Sequence, residues 1–320
     1  MRIDFDLVIE RLKSFDDVLI LTHQFPDGDT LGCGFALLCA LRKLNKRAKI
    51  ECSDPFGKQY SYITSNVKQD KFTHKFIVAV DVADVKLLGR IKEKYGECID
   101  LCIDHHGSNV DFAKETYVDS NSAAACEIIY DIINALNVDI DKTIANALFT
   151  GISTDTGCFK YSNTTARTHK IAAALIEKGA DHAEINRIMF DTKSKTRMMV
   201  EQKVLESMEF YHNDKIATII LTQDMIKKCG AEESELEGIT SLPRMIEGVI
   251  IGITLREKRD GKFKVSVRTH SPIDAAKLCE KFGGGGHSKA AGCEFNIAAE
   301  DAKKLLLCEA IEMMKSAEAD

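Results

Sequence analysis

Four short segments in the first half of this chain carry the groups best suited to chemistry on an ester: T-H-Q-F-P-D-G-D (22–29), V-D-V-A-D (80–84), D-H-H-G-S-N (104–109) and G-I-S-T-D-T-G (151–157). Their donors are carboxylates and imidazoles, which suit Mn²⁺ or a similar divalent ion better than they suit zinc held by thiolates. Pro26 and Gly28 build a turn from which His23, Asp27 and Asp29 can converge. A polar turn after a strand is usually a solvated loop, so this segment by itself does not specify a metal site. Asp81 alone reads equally as a cap for the segment near 86–95, and Asp84 fits that capping role better. Asp155 alone reads as a turn residue. Asp104, His105 and His106 in succession abandon the packing that I-D-L-C-I (99–103) builds, which is harder to explain without a function. Taken together, the segments offer enough donors to hold two divalent ions side by side, the equipment of a phosphoester hydrolase.

The surrounding pattern supplies elements that could position these groups. D-V-L-I-L-T (17–22) reads as a strand and residues 31–44 as a buried helix. Residues 48–52, 75–80 and 97–104 read as further strands, and 122–136 and 141–150 as helices, with Asp141 near a helix start. Strands alternating with helices predict an α/β fold, a doubly wound and mainly parallel sheet covered on both faces. Ligands of such sheets collect beyond the carboxyl ends of strands, where His23, Asp81 and Asp104 to His106 are expected.

Residues 180–210 read as a helix, a break near Thr192 and a charged amphipathic helix, a plausible connector. Beyond it, 215–222 reads as a strand, and 249–256 with 262–269 flank the hairpin signal Asp260-Gly261. Helices are expected at 274–282 and 299–316, with G-G-G-G-H-S-K-A-A-G (283–292) between them. The organisation expected is therefore a metal-binding domain over 1–190, a linker helix over 191–210 and a smaller α+β domain over 211–320, with a cleft between the domains. A glycine run cannot be a helix interior, since each glycine costs roughly 1 kcal/mol there relative to alanine. Glycine-rich turns join elements in many proteins. Here, however, Gly284, Gly285 and Gly286 followed by His287 would let backbone N–H groups approach an anion, and Arg268 could clamp a phosphate with its planar fork.

The 320 residues, 45% of them hydrophobic, suffice for two cores. A net charge of −6 gives no global basic field for long nucleic acid, so a polyanionic substrate is expected to be short. No apolar run approaches the ~18 residues that span a bilayer, and the eleven cysteines form no C-x-x-C pair. The chain reads as cytoplasmic, soluble and thiol-reduced, with no membrane partner; its oligomeric state is open and a homodimer is compatible with it. Trp is absent and each of the fifteen Phe reads as core before it reads as a stacking platform, Phe159 and Tyr161 being the candidates nearest Asp155.

The ordered set of motifs resembles that of the DHH phosphoesterases, and G-G-G-G-H-S-K-A-A-G resembles the signature of their DHH-associated C-terminal domain. In layout the chain is most similar to the small bacterial oligoribonuclease and pAp phosphatase members. The resemblance implies two divalent ions, with manganese expected: one held by His23, Asp27 and Asp81, the other by Asp29, Asp81, His105 and Asp155, Asp81 bridging. It further implies that His106 faces substrate, that Asp104 orients the histidines, and that Arg268 with Gly284 to His287 binds the far end of short RNA or of 3′-phosphoadenosine 5′-phosphate (pAp). Alternatives compatible with the same motifs are hydrolysis of pApA or cyclic-di-AMP, and a non-catalytic nucleotide-binding module.

Overall fold

The computed structural model describes residues 1–65, 70–236 and 238–319. The chain divides into two compact units, Met1–Thr192 and Lys193–Asp320.

In the first unit, β1 (Val18–Leu21), β2 (Ala48–Glu51), β3 (Phe76–Val80), β4 (Leu101–Asp104) and β5 (Glu115–Val118) form a parallel sheet in the order β2-β1-β3-β4-β5. Alternate strand residues serve opposite faces. Val18, Ile20, Val78, Val80, Leu101 and Ile103 join one core with the helices Gly28–Lys43, Ala125–Ala135 and Lys142–Asp155. Leu19, Leu21, Ile77, Ala79 and Cys102 join the other core with Leu88, Tyr95 and Ile99. Burial on both faces explains why these strands read as unbroken apolar runs rather than as alternating ones. The chain leaves β1 for β2 on one side, while β3 lies on the other, so the order in which strands are added reverses between the parallel neighbours β1 and β3. That reversal opens a crevice beyond their carboxyl ends, next to His23 and Asp81.

Several boundaries differ from expectation. The strand expected over 97–104 is paired only over Leu101–Asp104, because Asp100 turns its carboxylate to accept from the backbone N–H of Ile77 at 2.8 Å. The helix expected over 141–150, capped by Asp141 at Ile144 N, runs on to Asp155. Asp155 therefore sits in the last turn of a helix rather than in a loop after a strand. Strand β5 and the helices Phe5–Ser14 and Ala166–Glu177 lie in stretches to which the sequence pattern assigned no element.

In the second unit a mixed sheet runs in the order β10-β11-β9-β8-β7-β6, from β6 (Glu209–Tyr211), β7 (Ile216–Leu221), β8 (Ile251–Glu257), β9 (Phe263–Thr269), β10 (Gly285–His287) and β11 (Ala290–Phe295). Only β7 and β8 are parallel neighbours. The helices Ala275–Glu280 and Ala299–Ala319 cover the face that carries Ile251, Ile253, Val265 and Val267. The helix Lys195–Glu206, expected as a connector, buries Val200 and Val204 against Ile219 and Leu221 on the opposite face. The Asp260-Gly261 turn forms with Gly261 at φ 82°, closed by Lys258 N donating to Lys262 O at 2.7 Å. The glycine run, expected as a loop, is instead part of a β10–β11 hairpin with Gly285 opposite Gly292. Gly284 is required there because a Cβ would strike the carbonyl of Gly292. Among the described residues no helix is long and apolar enough to cross a membrane.

Candidate metal centre

His23, Asp27, Asp29, Asp81, His105, His106 and Asp155 come together beyond the carboxyl ends of β1, β3 and β4. Within this cluster, ligand atoms of His23, Asp27 and Asp81 lie within 4.8 Å of one another, as do those of Asp29, His105 and Asp155, and those of Asp81, His105 and His106. Asp81 belongs to both sides: its Oδ2 lies 3.7 Å from His23 Nε2, and its Oδ1 lies 3.6 Å from His105 Nε2. His23 Nε2 is also 3.6 Å from Asp27 Oδ1, and His105 Nε2 is 3.4 Å from Asp155 Oδ2 and 3.9 Å from Asp29 Oδ2. These separations are too long for hydrogen bonds. They suit donor atoms that each approach a shared cation to about 2–2.6 Å.

Local structure aims each group. Asp27 caps the helix Gly28–Lys43, its Oδ1 accepting from Asp29 N at 3.0 Å and Thr30 N at 3.1 Å, so the capping reading and the site reading hold together. Asp29, in the first turn of that helix, is 1% exposed, and its two oxygens accept from the backbone N–H groups of Ala125 and Cys126 at 2.7 and 3.0 Å. His23 Nδ1 meets Gln24 O at 2.8 Å and His105 Nδ1 meets Ser122 O at 3.2 Å, which turns both Nε2 atoms toward the carboxylates. Asp104 accepts at Oδ1 from His106 Nδ1 at 2.8 Å and at Oδ2 from Asn109 Nδ2 at 2.7 Å. It reaches His105 only through the backbone N–H, at 2.8 Å. Asn109 and Thr165 close loops, by bonds to Val82 O and as a helix cap respectively. Asp84 caps at Lys86 N, as its position suggested.

The electrostatics are those of a site short of positive charge. Burial, aided by Asp27, pushes Asp29 up to about 6. Burial, aided by Asp29, pushes Asp155 up to about 7. Asp81 is driven well above the usual carboxylate range by burial and by the charges of Asp29, Asp27, Asp155 and Asp104. Burial also works to raise Asp27 and Asp104, but the nearby His23 imidazole with the backbone N–H groups of Thr30 and Asp29 for Asp27, and the bonds from His106 and Asn109 for Asp104, outweigh it and hold both below the ordinary value. His106 is raised chiefly by its bond to Asp104. His23 is raised because Asp27 outweighs its burial. Asp81 Oδ1 is buried with no hydrogen-bond partner. Asp81 also holds a left-handed backbone, φ 57°, uncommon outside glycine and tolerated by Asp. An orphaned, buried carboxylate oxygen facing imidazole nitrogens fits a divalent cation, which would satisfy the lone pairs and relieve the repulsion.

The remaining candidates lie in the second unit. Arg268 projects from β9 beside Ala290 and Gly252, with Nη1 donating to Val267 O at 3.1 Å and no carboxylate partner among the described residues. Burial, then the nearby Arg244, lowers its pKa from the usual arginine value. Gly285, Gly286 and His287 are strand residues, not an open cradle, and His287 is exposed. The sequence reading missed the backbone contributors to the centre, Ala125 N, Cys126 N and Ser122 O, which leave no side-chain signature.

Comparison with known proteins identifies the family of the chain. Residues 17–152 match the family described as DHH family, N-terminal domain, and residues 214–316 match the DHHA1 domain. The bifunctional oligoribonuclease and PAP phosphatase NrnA of Thermus thermophilus is 33% identical over 296 residues, covering 89% of this chain and 86% of the relative. An exopolyphosphatase-related protein of Bacteroides fragilis shares the fold, with a TM-score of 0.86 at 24% identity, covering 98% of this chain and 97% of that one. The exonuclease RecJ bound to manganese shares it more distantly, with a TM-score of 0.50 at 13% identity over 98% of this chain and 94% of that one. With both domains matched in order and a relative of this identity over most of its length, the chain belongs to the DHH family of phosphoesterases.

Proposed function

We propose that this phosphoesterase depends on two divalent metal ions, hydrolyses short oligoribonucleotides to 5′-mononucleotides and removes the 3′-phosphate of pAp. The observation that carries the reading is Asp81 Oδ1, buried and unpartnered where two imidazole–carboxylate groups meet. In this reading His23, Asp27 and Asp81 hold one ion, and Asp29, Asp81, His105 and Asp155 the other; the mixed oxygen and imidazole donors favour manganese. Bound there, such ions lower the pKa of water and neutralise phosphoryl oxygens.

The chain's own groups do the rest. Gln24 O and Ser122 O fix the tautomers of His23 and His105, keeping Nε2 free as a donor to metal. The bond to Asp104 raises the His106 pKa and so favours its charged form, from which His106 Nε2–H would give its proton to the departing 3′-oxygen. Arg268, with the β10–β11 hairpin and His287, is assigned to a substrate phosphate because a half-buried guanidinium without a carboxylate partner suits that role. The net charge of −6 and the name of the Thermus relative both support short substrates over long polymers.

Turnover of pAp, RNA of two to five nucleotides, pApA and cyclic-di-AMP with Mn²⁺ tests the reading, with Asp155→Ala excluding contaminating nucleases. Short RNA and pAp are expected to be consumed, activity to vanish with chelator and to return with Mn²⁺. Full activity in metal-free protein would refute it, and preference for cyclic-di-AMP would reassign the substrate.

A further inference from the structure

Phe25 lies between His23 and Asp27 in sequence, yet it is 78% exposed. It also holds φ 53°, a left-handed backbone that a bulky side chain rarely adopts. Both features are unfavourable for a phenylalanine, which has no polar atom to satisfy in water and could have turned inward. The surroundings enforce the conformation: Phe25 N donates to Asp54 Oδ2 at 3.0 Å, Gln24 N donates to Leu87 O at 2.6 Å, and Pro26 follows. Strain of this kind, imposed on a residue that makes no packing contribution, gathers where a ligand is held. Two residues of chain span at most about 7 Å, so the Phe25 backbone stands within that distance of both His23 and Asp27, with its ring in solvent. Phe159, the aromatic named with Tyr161 from the sequence, shares the left-handed backbone at φ 63° but not the exposure. Phe159 is packed on the core, stacked on His169 with centroids 5.2 Å apart and planes at 24°.

We propose that Phe25 is a stacking platform for one base of the substrate, a specificity residue beside the metal centre. The inference rests on the phosphoesterase acting on nucleotides as read above. Base–aromatic stacking tolerates any base, because every base presents a π-face, and this suits an enzyme that degrades mixed short RNA. It also gives a chain without Trp a way to hold bases by ring contact.

Substitution can separate stacking from folding. Asn accepts a left-handed backbone, so Phe25→Asn removes the ring while relieving strain, and Phe25→Trp keeps a ring. With Mn²⁺ present, KM and kcat are measured on a diribonucleotide and on two abasic analogues, each lacking one base. Phe25→Asn is expected to raise KM for the intact dinucleotide about tenfold, within the range stacking supplies. Its kcat should change little, its thermal midpoint should be equal to or above that of the parent, and Phe25→Trp should behave as the parent. The KM penalty should disappear on one of the abasic substrates. The proposal is overturned by equal KM changes on all three substrates, by no change on any, by a fall in the thermal midpoint of Phe25→Asn, or by a base-dependent penalty in Tyr161→Leu in its place. A parent enzyme that cleaves none of the three refutes the functional reading itself, a result distinct from the others.

Discussion

Asp81 concentrates the chemistry of the site in one side chain. It is 3% exposed, faces four other acidic residues and leaves one oxygen without a partner, an arrangement relieved either by protonation or by compensating positive charge. Its left-handed backbone suits Asn as well as Asp, so Asp81→Asn removes the charge without straining the chain. In chelator at pH 8 the variant should unfold at the same temperature as the parent or up to ~5 °C above it, since a gain of 1 kcal/mol is worth roughly 2–4 °C at this size. The rise in midpoint that Mn²⁺ gives the parent should be lost. A variant that still responds to Mn²⁺, or that loses several degrees in chelator, would show that Asp81 is a structural residue. The sequence alone left Asp81 open between cap and ligand, because an aspartate after an apolar run serves either role. The backbone angle and the unpartnered oxygen that separate the two exist only in three dimensions.

At the scale of elements, the site is set by how closely the helix bearing Asp29 meets the helix bearing Asp155. A Cβ on Gly32 would lie 2.5 Å from Ala147 O, and one on Gly151 would lie 2.6 Å from Asp29 Oδ1 and 3.0 Å from Asp29 Cα. Helix propensity alone favours alanine over glycine by about 1 kcal/mol, whereas overpacking typically costs 1–3 kcal/mol. At Gly151 the Cβ would also strike the buried Cys126 Sγ, and the Asp29 backbone behind it cannot swing aside, so overpacking wins. Gly151→Ala should destabilise the protein by about 1–2 kcal/mol in urea unfolding and weaken Mn²⁺ binding at least tenfold in titration. A stabilised variant with unchanged affinity would contradict this packing argument. Periodicity located most strands and helices of both units, since apolar runs of strand or helix length survive in sequence. It missed β5, β6, β10 and β11. Strand β5 has a single fully buried residue in four. The hairpin is rich in glycine and alanine, selected for close backbone approach rather than for β-propensity.

For the molecule as a whole, the two units carry separate cores, and among the described residues the carboxylates whose pKa is raised lie in the first. Asp29 and Asp155 have folded-state values raised to about 6 and about 7 from an ordinary 3.8, and Asp81 is raised further in direction. Above pH 4 the unfolded chain has released protons that the folded metal-free protein still holds. Its extra stability is therefore complete below the unfolded value and is lost as pH rises through the folded ones. His23 and His106, also raised, act in the same direction. In chelator, going from pH 5 to pH 8 should lower the unfolding midpoint. Mn²⁺ binding to the folded protein alone, as proposed, would at a hundred times its Kd restore about 2.7 kcal/mol per site. Hydrogen exchange locates the response: at pH 8, Mn²⁺ should slow exchange in β1, β3 and β4, whose carboxyl ends lead into the ligands, and leave β8 and β9 nearly unchanged. The clustered motifs were legible in sequence because hard donors recur in four short segments, three of them following strands, but this linkage was not, since it depends on burial and on distances between residues far apart in the chain. Equal protection of both sheets, or a midpoint that rises with pH in chelator, would remove the carboxylate cluster as the source of the protein's metal response.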